Sequence, residues 1–150
     1  MHSIPPSQIA LGRIRLLCNL AVAGIWLYQG LVPKLLGPHP DELAMSGSFG
    51  IASALQVPVS YAAGVGELLL GICLLLVRHR VWPQFVSAVA TAALLGFVAI
   101  YSPIYLIGAF NPVVMNSASI ALSIVAILAI RAEVDMSAAP AFKHKSDGAT

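Results

Sequence analysis

"VWPQFVSAVATAALLGFVAIYSPIYLIGAFNPVVMNSASIALSIVAILAI", residues 81–130, contains no Asp, Glu, Lys or Arg. Arg80 and Arg131 bracket it, with nothing charged between. At roughly 1.5 Å of rise per residue, such a run is too long for one crossing of a hydrocarbon core of about 30 Å and long enough for two. The break falls in "SPIYLIGAFNP", where Pro103, Gly108, Asn111 and Pro112 are turn and helix-start residues. Asn111 and Pro112 form an N-cap and first-position pair. Two membrane spans are therefore predicted, over about 81–101 and 112–130.

The rest of the chain repeats the pattern. Ile14 to Pro33 is apolar, with no charge between Arg15 and Lys34, and Pro58 to Val77 is apolar except for Glu67. Charged residues make up 9% of the chain and hydrophobic ones 59%. A soluble domain carries about 25% charged residues, so this chain cannot coat a water-soluble globule. None of the four segments shows the charged face of a soluble helical bundle. The expected fold is all-α: an integral membrane four-helix bundle with spans at about 14–33, 58–77, 81–101 and 112–130. Residues 1–12 read as a short lead-in, and 132–150 as a disordered tail by composition. The apolar run after Arg15 outlasts the core of an ordinary signal peptide.

Basic residues orient the bundle. Arg13, Arg15, Arg78, Arg80, Arg131, Lys143 and Lys145 fall at one end and only Lys34 at the other. This bias predicts that both termini are cytoplasmic and that residues 34–57 form an extracytoplasmic loop. The expected location is a bacterial inner (plasma) membrane. Within the loop, "GPHPDELA" reads as the start of a short outer helix, with Pro40 first and Asp41 and Glu42 at its positive end. Capping accounts for these acids more simply than a metal site with His39.

Other chemistry finds little support. Cys18 and Cys73 form no CxxC pair and sit toward the predicted cytoplasmic side, where thiols stay reduced. No histidine lies within a span to ligate a haem there. No P-loop, complete dinucleotide fingerprint or zinc spacing is present, and the basic residues are too few and scattered for nucleic acid.

Glu67 is the residue that needs a reason. An unpaired charge at the bilayer centre costs about 2.5–3.5 kcal/mol on insertion scales. Ala63, Gly64 and Gly71 share its helix face, and small residues mark helix–helix interfaces, so Glu67 should face protein. Gln29 on span one and Asn116 on span four lie at a similar height in the outer half of the bundle, and Lys34 at the rim can reach down to Glu67. The predicted site is an outward-facing polar pocket of Glu67, Gln29, Lys34 and Asn116, walled by spans one, two and four with Trp26 and Tyr28. Ala88, Ala92 and Gly96 on span three read as a packing ridge.

Three stretches carry a family likeness: "WLYQGLVPKLLGPHPDELA" (26–44), "GVGELLLG" (64–71) and "AFNPVVMN" (109–116). Through them the chain resembles the DoxX-like family of small four-helix membrane proteins, from about Arg13 to Arg131. The resemblance implies a left-handed bundle with a quinone-level pocket in the outer leaflet, since the family includes a subunit of an archaeal thiosulfate:quinone oxidoreductase. It implies no particular reaction. Thiol-oxidising relatives use paired cysteines, which this chain lacks on its outer side.

Two functions are open at this point. In the first, the pocket holds a quinone or similar small lipophile, and the protein serves a membrane electron-transfer system whose electrons come from a partner subunit. In the second, the polar layer only fixes helix register in a non-catalytic assembly or integrity factor. A proton-coupled carrier ranks third, because the spans hold a single acid and no broken helix.

Overall fold

The computed structural model describes residues 6–107 and 112–146. Helix α1 runs Pro6–Gly30 and continues through one π-helical turn, Leu31–Leu35. The short helix α2 (Pro40–Ser48) follows, then α3 (Ser53–Leu76), α4 (Val81–Tyr101), a 3-10 turn (Pro103–Ile107) and α5 (Pro112–Ser146). Four of these helices are long and apolar enough to cross a membrane. The protein is an all-α membrane bundle, as its uncharged runs require.

Its burial pattern is inverted relative to a soluble protein. Leu17, Leu69, Leu76, Phe85, Val114 and Leu128 are each about 60% exposed or more, forming an apolar outer belt. The interior instead encloses Asn19, Gln84, Ser87, Thr91, Ser119 and Ser123 beside Val22, Ala23, Trp26 and Leu74. Lipid solvates the belt, and several of the polar groups find partners inside, whereas Ser119 Oγ and Gln84 Oε1 make no hydrogen bond among the described residues. Gln84 Nε2 donates to Asn19 Oδ1 at 3.0 Å, and Asn19 Nδ2 donates to the Arg15 carbonyl at 2.8 Å. Trp26 Nε1 donates to Ser87 Oγ at 2.8 Å, and Ser123 Oγ donates to the same oxygen at 3.4 Å.

Helix α1 packs against α3 and α5, and α4 packs against α5, whereas α3 and α4 barely touch. The α1–α3 crossing is close because glycines face each other there. A methyl group at Gly30 would lie 2.6 Å from the Gly64 carbonyl oxygen, and one at Gly71 would lie 2.8 Å from Leu27 Cγ. The small face predicted around Glu67 is therefore an interface with α1.

Several boundaries depart from the sequence reading. Helix α1 begins at Pro6, inside the supposed lead-in, because proline suits the first turn of a helix. It also runs past Pro33. Proline lacks the N–H of a regular turn and would clash with the carbonyl four residues back. A π turn absorbs the mismatch, with Leu36 N donating to Leu31 O at 2.9 Å. Within the predicted 132–150 tail, residues 132–146 are helical, since Ala, Glu and Met are good helix formers, and 147–150 lie outside the described residues. Glu133 anchors this extension through Arg15 Nε at 3.1 Å. The Ala88/Ala92/Gly96 ridge does not pack, since Ala92 is exposed and nothing lies within 4 Å of a methyl at Gly96. The packed face of α4 is Pro83, Gln84, Ser87 and Thr91. The predicted N-cap Asn111 lies outside the described residues.

Candidate functional site

The π turn determines where Lys34 goes. It turns this residue inward, leaving it 8% exposed, and its ammonium lies between two carboxylates. Lys34 Nζ is 3.2 Å from Glu67 Oε2 and 3.0 Å from Glu42 Oε1. The expected Lys34–Glu67 pairing is present, and it requires the close crossing at Gly64, whose added methyl would meet Lys34 Cβ at 2.9 Å.

Glu42 is the partner that sequence reasoning missed. Its place in the first turn of α2 gave it a sufficient local role, and that role is real. The clue was electrostatic: among the described residues Lys34 is the only Lys or Arg at the end of the bundle that also carries Asp41 and Glu42.

Helix α2 spans the Lys34 end of the bundle like a lid. His39 caps it, accepting from Asp41 N at 3.3 Å, with Pro40 first as predicted. One end of the lid is held by Glu42–Lys34. The other is held by Phe49, whose ring centroid lies 5.4 Å from that of Phe97 and 5.0 Å from that of Tyr101, and by Ser48 Oγ, 2.7 Å from Ser102 Oγ. Tyr105 adds a third tie, its hydroxyl donating to Asp41 Oδ1 at 3.3 Å.

Desolvation and the Asp41 carboxylate together hold the Tyr105 hydroxyl above the ordinary tyrosine range. The folded state thus favours the protonated phenol. This tie is fully present below the ordinary tyrosine value of about 10 and is lost as pH rises through the raised folded value. Hydrogen exchange across residues 40–48 is expected to accelerate over that alkaline window. Tyr105→Phe should show the faster exchange at neutral pH already and no alkaline step.

Beneath the lid, a groove of about 560 Å³ opens between α3 and α4. Trp26 forms its floor, Ala63, Gly66, Glu67 and Leu70 one side, and Ala90, Ala93, Leu94 and Phe97 the other. Among the described residues, Glu67 is the only ionisable one lining it. The small side chains that leave this space empty come from α3 and α4, so this groove is walled by the second and third spans.

The six predicted residues thus divide. Glu67 and Trp26 line the groove, and Lys34 pairs with Glu67. Gln29 instead turns toward α5, its Nε2 lying 3.9 Å from Met115 Sδ. Tyr28 is 61% exposed and does not line the groove. Asn116 is half-buried on α5, and among the described residues no hydrogen bond or ion pair joins it to Glu67. The buried Gln84–Asn19 and Trp26–Ser87 pairs were also missed, although Gln84, Ser87 and Thr91 form a visible polar stripe at helical spacing.

Comparison with curated proteins gave no match, and neither did comparison with solved structures. The sequence profile of the DoxX-like family matches residues 23–124, which takes in the Lys34–Glu67 pair, the lid and the whole groove wall. With well over half its length matched and four membrane-crossing helices in place, the chain belongs to the DoxX-like family.

Proposed function

We propose that the groove between α3 and α4 binds a small lipophile with a hydrogen-bonding head, of the quinone/quinol class, for a membrane electron-transfer system. The observation that carries this reading is a single carboxylate in an otherwise apolar groove facing the lipid belt. Its volume lies within the range of ordinary small-molecule sites. Paired with Lys34, Glu67 presents an acceptor suited to a hydroxyl of the reduced head, and in its protonated form it could donate to a carbonyl. Trp26 offers a flat apolar surface to the ring. Electrons would pass to or from a partner subunit. The strongly basic end is assigned to the cytoplasm of a bacterial inner membrane, which sets the groove in the outer leaflet.

Quenching of tryptophan fluorescence by a ubiquinol or menaquinol analogue in nanodiscs tests the assignment. Ala93→Leu fills the groove and should abolish saturable quenching. Glu67→Gln should weaken binding about tenfold or more, the scale of a hydrogen bond to a charged group. Unchanged affinity in both variants would rule out this groove.

A second reading, a non-catalytic assembly factor, draws on the fact that Lys34 already engages Glu67. It requires Glu67→Gln to complement a deletion strain fully while its unfolding temperature changes. The lipophile reading requires complementation to fail in step with binding.

A further inference from the structure

A second cleft, of about 260 Å³, lies at the opposite end of the bundle, where both termini converge. Its polar wall is Arg13, Arg15, Asn19 and Arg78, and its apolar wall includes Ile9 and Leu16.

The three guanidinium groups are not equivalent. Arg15 is committed: Nε contacts Glu133, and Nη1 contacts His79 Nδ1 and donates to the Arg78 carbonyl at 3.4 Å. Asn19 is committed to Gln84 and the α1 backbone. Arg13 and Arg78 are exposed, and among the described residues neither has an acidic partner. Arg78 Nε meets only the neighbouring His79 ring, at 3.4 Å, so among the described residues the cleft carries two guanidinium groups with no carboxylate partner, the side chain best shaped for bidentate contact with phosphate.

The surroundings point to the source of that phosphate. Ile9, Arg13, Leu16 and Leu20 follow one another at helical spacing, so they form one stripe along α1. Leu16 and Leu20 are 40% and 51% exposed on the lipid-facing belt. An anion held at Arg13 has an open apolar track leading from it toward the bilayer centre. A soluble phosphate makes no use of that track, whereas an acyl chain does.

We propose that this cleft binds the phosphate of an anionic phospholipid headgroup through Arg13 and Arg78, with the acyl chain lying along Leu16 and Leu20. Basic recesses between membrane helices suit such headgroups. Zwitterionic lipids bind less well, because their cationic group meets the same arginines.

The full chain in nanodiscs of phosphatidylcholine, with or without phosphatidylglycerol, tests this by native mass spectrometry of retained lipid. The wild type should retain phosphatidylglycerol preferentially, and Arg13→Gln and Arg78→Gln should each lower that preference about fivefold. Arg80→Gln, also exposed but outside the cleft, should leave it unchanged. Matching unfolding temperatures in pure phosphatidylcholine show that the variants fold. Retained preference in the Arg13/Arg78 double variant overturns the site. A thermal shift produced equally by inorganic phosphate in pure phosphatidylcholine overturns the lipid assignment.

Discussion

Lys34→Met is expected to cost about 3–5 kcal/mol of stability, the scale for removing one partner of a buried ion pair. The substitution nearly preserves volume, so the loss is electrostatic. It leaves Glu67, whose side chain is 10% exposed, with no cation and with Glu42 as its nearest charge. For a chain of this size the loss corresponds to about 10 °C in unfolding temperature. Glu67→Gln in the Lys34→Met background should restore most of it, because the stranded charge is gone and Glu42, at 23% exposure, can turn to water. Tryptophan-detected unfolding in nanodiscs checks both. A Lys34→Met protein as stable as the wild type, or a double variant no better than the single one, would show that the pair does not hold the bundle together. The double variant also separates roles, since a stable protein lacking both charges reports on ligand binding without a folding defect.

The parts of this architecture that were readable beforehand share a physical basis. An uncharged run between Arg80 and Arg131 has few homes other than a bilayer, so the spans follow from composition and length alone. Glu67 and Lys34 were readable as a pair because each is the sole residue of its charge in its part of the chain. Gln29 and Asn116 show where such reasoning stops. Depth along a helix follows from counting residues, but direction around it depends on which neighbours pack where. Gly30 faces α3, and Gln29, one residue earlier, is turned about 100° away, toward Met115 on α5. Nothing in the sequence announces that α3 and α4 stay apart, so a groove between them was not foreseen. Pro33 misled differently: it reads as a helix end, and only the π turn reveals that it swings Lys34 inward instead.

The second large effect is expected from a single methyl group. Gly30→Ala places a carbon 2.6 Å from the Gly64 carbonyl oxygen and 3.0 Å from Leu68 N, and Gly64→Ala places one 2.8 Å from the Gly30 carbonyl oxygen. All of these neighbours are backbone atoms, so no side chain can rotate aside and the helices must separate. Overpacking of this kind costs about 1–3 kcal/mol. Gly24 and Gly96 have nothing within 4 Å of an added methyl, and alanine there should gain up to about 1 kcal/mol from helix propensity. The contrast in unfolding temperature between the two pairs isolates the crossing from any general preference for glycine. Separation at Gly64 should also pull Lys34 away from Glu67, because Lys34 Cβ is itself 2.9 Å from the added methyl. Gly64→Ala and Lys34→Met should therefore be less than additive, since each removes part of what the other needs. Full additivity would mean that the crossing and the ion pair act independently, and that the π turn alone, without the glycine contact, delivers Lys34 to the carboxylate.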